Sequence, residues 1–380
     1  MNKMKLKKRV LCRLPDCYAV SCFPIDGVPH AFFATDGYGG CVSVNLQTFH
    51  TQTVWDGPGG TMGLVPIPHS NGDFLAIQRF FPGFDAKESC IVRASRTHDG
   101  WQVEQWLEIP YLHRFDLLEQ NGELYLLCCT LAQNKTAMDD WTHPGGLFGC
   151  WVDHDVTPPA QVGRIASGMT RNHGYCRVKG TGGVYAITAC DEGVFAVAPP
   201  PQPGSSWRIQ QLLTQSVSDV AVSHSSMENG TFPNGYLLAT IEPFHGDSFC
   251  LYQFPSSQRK HVGKVWQPPF SVPFCHAIWG GMLWGKPAFL FGYREGDKQL
   301  FLVLPEESAH PLSTTGSPGG SPLCGSAVFK EIKNESCFSL QLLDEGQGPS
   351  NVCVLHQGEE EWILCANRVA GEGVLYILEP

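Results

Sequence analysis

The chain has 380 residues, 43% of them hydrophobic, and a formal net charge of −10 with a pI near 5.7. That is ample apolar material for a sizeable core, and an acidic chain without a basic stripe excludes the usual footprint of a nucleic-acid binder. No uninterrupted apolar run approaches the roughly 18 residues that a membrane span requires, so a cytoplasmic protein without a membrane partner is expected.

The first residues, MNKMKLKKRV, look like the charged start of a secretion signal, but LCRLPDCYAVSC follows, and Arg13, Pro15 and Asp16 interrupt any apolar segment. No signal peptide is expected. The 16 cysteines fall mostly inside strand-like runs such as LYLLCCTL and AITAC and form no C-x-x-C pair. They read as reduced, buried small hydrophobes rather than as a disulfide framework or a cysteine zinc site.

Helical periodicity is nearly absent, and short β-branched and aromatic runs alternate with Gly, Pro, Asn and Asp clusters, which is an all-β pattern. A polar-to-apolar strand ending in a Pro, Gly or Ser corner recurs along the chain. It appears as VLCRLP (10–15), QTVWDG (52–57), EQWLEIP (104–110), VGRIAS (162–167), IQQLLTQ (209–215), GKVWQPP (263–269) and LQLLDEG (340–346). The intervals are roughly 40–60 residues with one longer, close to the length of a four-stranded propeller blade. The prediction is a seven-bladed β-propeller forming one domain over residues 1–380. Its last blade takes three strands from NVCVLHQ, EEWILCANR and GVLYILEP and a fourth from the N-terminal KKRVLCRLP, so that no ring edge stays open. Insertions are expected at 132–146 and 313–322.

In such a ring, the starts of the inner strands and the ends of the second strands open on one face around the channel. The polar residues assigned there include Arg79, Arg171, Arg294, Arg368 and the histidines His113, His173, His245 and His276, with Glu242 beside His245 in IEPFHGD. Arg and Glu at strand ends also form inter-blade ion pairs, and that reading stays open for each of them. Converging imidazoles bind a first-row divalent ion, so His113, His173, His245, His276 and Glu242 are expected to hold a divalent metal such as Mn, Zn, Mg or Ca. Arg79, Arg171 and Arg368, with Trp141 and His143 of DDWTHPGG at the rim, are the residues that would contact a small carbohydrate; that Trp141 instead packs its loop against blade 3 stays open.

The runs MTRNHGY (169–175), IEPFHGD (241–247), HAIWGG (276–281) and FLFGYREG (289–296) resemble propeller-type carbohydrate lyases, most of all the propeller domain of aldos-2-ulose dehydratase and its bacterial relatives. The resemblance implies a carbon–oxygen lyase that performs metal-assisted β-elimination on a keto-glycoside or uronate. His113, His173, Tyr293 and Arg294 would then be catalytic, with Tyr293 as base and Arg294 holding the anionic intermediate. This sequence departs from that dehydratase in lacking its cupin-like addition, so the resemblance does not extend to the coupled isomerase. The alternative from another class is a non-catalytic propeller that binds a protein or glycan on the same face.

Overall fold

The computed structural model describes residues 4–180, 183–223, 236–254, 262–306 and 338–380. Among them are seven four-stranded antiparallel sheets and no helix, so none that is long and apolar enough to cross a membrane. The seven-bladed propeller read from the sequence is the fold. Numbered by their inner strands, the blades begin with Cys17–Ile25, Leu64–Pro66, Leu112–Gln120, Gly174–Gly180, Asp219–Ser223, Cys275–Leu283 and Pro349–Gln357. The recurring corner strands are the outer ones: Thr51–Trp55, Gly100–Glu108, Gly163–Met169, Arg208–Leu213, Gly263–Trp266, Phe338–Asp344 and, for blade 7, Lys5–Arg13. The insertion at 132–146 joins the second and third strands of blade 3, and the one at 313–322 lies outside the described residues.

Lys5–Arg13 pairs along Glu372–Glu379, from Lys5 opposite Glu379 to Arg13 opposite Glu372, and closes blade 7 as predicted. Middle strands are buried on both faces and therefore read as continuous apolar runs; all five residues of Phe74–Gln78 are buried. Between blades 1 and 2, Phe32 and Phe74 meet at 5.1 Å and Trp101 stands edge-on to both, while Phe249 and Phe291 stack at 4.4 Å between blades 5 and 6. Each such aromatic contributes about 1.5–3 kcal/mol by leaving water. All 14 described cysteines are free, most of them buried, as small apolar side chains would be.

Strand register fixes where polar groups gather. Cys17 lies opposite Thr35, Leu112 opposite Thr130, Gly174 opposite Ala189 and Cys275 opposite Tyr293. Inner strands therefore start where second strands end, on one face of the ring.

Candidate active site

Six side chains at the starts of inner strands on this face follow the same local device. Asp16, Gly60, Tyr111, Arg171, Phe274 and Gly348 all have positive φ, between 53° and 67°. Two residues after each stands a channel residue: Tyr18, Met62, His113, His173, His276 and Ser350. In blades 1, 3, 6 and 7 that residue is the extra one of a β-bulge, at Tyr18, His113, His276 and Ser350. A left-handed non-glycine residue costs energy and a bulge re-aims its side chain, so their repetition around one mouth marks a built site.

The histidines are held by the main chain of the next blade. Nδ1 of His113 lies 3.2 Å from the carbonyl of His173, Nδ1 of His173 3.0 Å from that of Ser218, and Nδ1 of His276 2.8 Å from that of Ser350. A carbonyl only accepts, so Nδ1 carries the proton and Nε2 keeps its lone pair. This is how proteins orient imidazoles for metal binding. Ser218 occupies blade 5's equivalent position but is too short to reach the channel, and His245, at φ 46° in the loop after the second strand Leu237–Glu242, fills the gap. Nε2 of His245 lies 3.3 Å from Nε2 of His173.

The ligand atoms of His173, His245 and His276 all lie within 4.8 Å of one another. Two nitrogens on one tetrahedral ion with bonds of about 2.0–2.1 Å are about 3.3 Å apart, the spacing already present between His173 and His245, with the third ligand atom within 4.8 Å of both. All four imidazoles are neutral near pH 7. Burial pushes His113, His173 and His276 well below the ordinary value, helped by the charge of Arg114 at His113, by His113 at His173 and by Arg294 at His276. Burial, then Arg294 and Arg171, lower His245 to about 3.

Above the trio is a cavity of about 290 Å³, the size of a single small ring. Phe80, Phe84, Phe244, Phe274 and Met138 supply apolar walls, and Tyr18, Asp36, Arg294 and Arg368 supply polar groups. The Tyr18 hydroxyl is 3.2 Å from Nε2 of His276. The Arg368 Nε donates to Asp36 at 2.7 Å.

Of the residues expected from sequence, the cavity brings together His113, His173, His245, His276, Arg294 and Arg368. Of the four histidines expected in one set, the structure brings the ligand atoms of three together: His113 stacks on His173 at 4.1 Å and lies outside the trio. Glu242, expected in or just behind the same set, is not among them. It shares a strand face with Thr240, from whose hydroxyl it accepts a hydrogen bond at 2.6 Å, and it turns toward Gln215.

Tyr293 as base is also corrected. It is packed in the apolar cluster between blades 5 and 6, donates to Gln299, and has a pKa raised chiefly by burial; alternation sends it away from the cavity that Arg294 faces. Arg79 is half-exposed and faces Glu88 at 3.7 Å, and His143 is exposed, so neither lines the cavity. Arg171 sits at the rim, bonded to Asp191 at 2.7 Å with its guanidinium over Phe244. Trp141 packs its loop against Phe84 at 5.0 Å under the Lys135 ammonium rather than offering a free stacking face. Tyr18 belongs by its place at an inner-strand start to the face expected from sequence, but sequence reasoning assigns it no role there. The signal that finds it is the tripeptide opening four inner strands, DCY, YLH, RNH and FCH, with a left-handed first residue and a His or Tyr third.

No known family matches this sequence, and no curated protein does. Among solved structures the chain is similar to the β-propeller domain of Myceliophteria thermophila Cps50 (Swd1), with a TM-score of 0.55, 8% identity and coverage of 98% of this chain and 99% of that one. It is also similar to a candidate 6-phosphogluconolactonase from Bacteroides uniformis, with a TM-score of 0.50, 10% identity and coverage of 87% and 85%. A candidate 6-phosphogluconolactonase from Bacteroides fragilis has the same TM-score and identity, with coverage of 87% and 83%. These likenesses show the fold. The expected carbon–oxygen lyase is corrected here: the carbohydrate enzymes among these neighbours bear the name of a hydrolase, none of the three bears that of a dehydratase, and the tyrosine expected to abstract the proton is buried elsewhere.

Proposed function

We propose that this protein is a metal-dependent hydrolase that opens a lactone or ester of a small carbohydrate at the channel mouth. The observation that carries the reading is the trio of neutral imidazoles, His173, His245 and His276, with ligand atoms within 4.8 Å under a ring-sized cavity. An all-imidazole set suits zinc or a neighbouring first-row ion better than Mg or Ca, which take oxygen ligands. His173, His245 and His276 would hold the ion with a position left open, and such an ion would supply an activated water and polarise a carbonyl.

The reaction adds water to the carbonyl carbon, breaks the acyl carbon–oxygen bond and leaves a hydroxy acid. The Tyr18 hydroxyl, next to Nε2 of His276, is the donor placed to stabilise the carbonyl oxygen as charge develops on it. His113 is the neutral base in the cavity outside the trio and is the group to take the proton from water. Two propellers of this architecture bear lactonase names, which makes sugar lactones the class to assay first.

The test is proton release from a panel of sugar lactones by chelator-treated protein, with and without added zinc or manganese. Hydrolysis well above the spontaneous rate is expected, dependent on the ion and lost in His173→Ala. A metal-loaded protein that opens no lactone or ester faster than buffer would overturn the reading.

A further inference from the structure

The arginines near the mouth and channel differ in one respect. Arg79 faces Glu88, Arg114 faces Asp219, Arg171 faces Asp191, Arg177 faces Asp116, and Arg368 faces Asp36 and Asp16. Arg294 lines the cavity, is half-buried, and has no carboxylate at ion-pair distance among the described residues. Its backbone N–H donates to the Phe274 carbonyl at 3.1 Å, and its guanidinium stacks 4.7 Å above the Phe274 ring, so its position and plane are held. Asp36, the acid in the same cavity, is engaged by the Nε of Arg368. With the histidines neutral, Arg294 is the one cation lining the cavity that no carboxylate meets at ion-pair distance among the described residues.

We infer that Arg294 is a subsite for a carboxylate on the substrate, so that the natural substrate is an acidic sugar derivative, a lactone or ester that bears a free carboxylate on the same ring. This rests on the hydrolase reading for the scissile bond, but the recognition of the acid stands on Arg294 alone. A partly desolvated guanidinium without a partner is costly unless an anion meets it, and its planar fork matches a carboxylate in two parallel hydrogen bonds. One guanidinium offers one fork to one carboxylate. A phosphate dianion would bring a second negative charge into a cavity that already holds Asp36. Phe274, under the guanidinium, keeps water from that side and favours exchange of solvent for the ligand's carboxylate.

The experiment is calorimetric binding to chelator-treated protein, where neither turnover nor a metal contributes. D-glucuronate and D-galacturonate are compared with D-glucose, D-galactose and D-glucose 6-phosphate. At least one uronate is expected to bind about tenfold or more tightly than its neutral sugar and than the phosphate, a typical effect of a charge-assisted pair. The preference should vanish in Arg294→Met, fall partway in Arg294→Lys, and persist in Arg79→Met, an arginine of the same face that does not line the cavity, with melting curves confirming that each variant is folded. Equal binding of acid and neutral sugars, no binding of either uronate, or a preference that survives Arg294→Met would overturn the inference, and tighter binding of the phosphate would replace the carboxylate with a phosphoryl group. A uronate preference in a protein that opens no lactone would instead sink only the hydrolase reading.

Discussion

The channel has two regions built from the same seven inner strands, and they treat charge in opposite ways. Deeper in the channel, every charge is matched. Asp116 receives the Arg177 Nε and the Tyr175 hydroxyl, each at 2.7 Å, and Asp219 takes the N–H of Val220 at 2.9 Å and of Tyr175 at 3.1 Å beside Arg114. At the mouth, four imidazoles are held neutral, their neighbouring tyrosine points at a ligand nitrogen, and Arg294 has no acid. The deep network satisfies itself, as a structural core must. The mouth is left unsatisfied toward a common cavity, which is what a site for a metal ion and an anion requires.

Removing a partner should therefore hurt the deep channel most. Asp116→Ala strands Arg177 and Tyr175 and is expected to lower unfolding free energy by about 2–4 kcal/mol, a buried-pair value discounted because Arg177 is partly exposed. Chemical denaturation checks this, and a loss below about 1 kcal/mol would mean that the deep charges are not a structural network.

At the mouth the large effect falls on chemistry instead. Tyr18→Phe is expected to lower kcat on a lactone about 10–100-fold, as loss of one oxyanion donor does, while metal content and melting temperature change little. Parallel assays of turnover, metal and melting decide it; unchanged turnover would remove Tyr18 from the site.

The histidines separate the regions by pH. In metal-free protein their folded pKa values lie below the unfolded value of about 6.5, so their contribution is complete above that pH and is lost as pH falls through it toward the folded values, about 3 for His245. Each contributes a slope of up to about 1.4 kcal/mol per pH unit in that window. The carboxyls of Asp219, raised to about 6 by burial, and of Asp36, raised by burial as well, act in the opposite sense, two groups against four. Stability should fall from pH 7 to 5, and more gently in His173→Ala. A flat profile would mean that the mouth imidazoles take up protons in the folded state.

The smallest effect is expected from Arg294→Met. Because this charge has no partner to strand, the melting temperature should stay level or rise slightly, in contrast to Asp116→Ala. A clear destabilisation would show that Arg294 is structural.

Most of the architecture was legible because blade packing writes itself into periodicity. The seven outer strands and the closure by Lys5–Arg13 follow from runs that end in Pro or Gly corners. The face of the ring that holds the site was legible too, since strand direction alone puts inner-strand starts beside second-strand ends. Side-chain direction was not. Tyr293 and Arg294 are neighbours in sequence, yet strand alternation buries one in the blade and offers the other to the cavity. Glu242 and His245 share one short segment, but the left-handed turn at His245 separates them. The bulges that turn Tyr18, His113 and His276 inward depend on a positive-φ residue two positions earlier, and the residues there, Asp, Tyr and Phe, carry no conventional turn signal beyond Asp16.

The central claim is that His173, His245 and His276 form one metal site, and titrating zinc calorimetrically into chelator-treated protein tests it most directly. The account predicts one tight site per chain, lost or weakened at least about tenfold by His173→Ala, His245→Ala or His276→Ala and retained in Glu242→Gln. No stoichiometric binding, or undiminished binding in a His245→Ala/His276→Ala double variant, would contradict it.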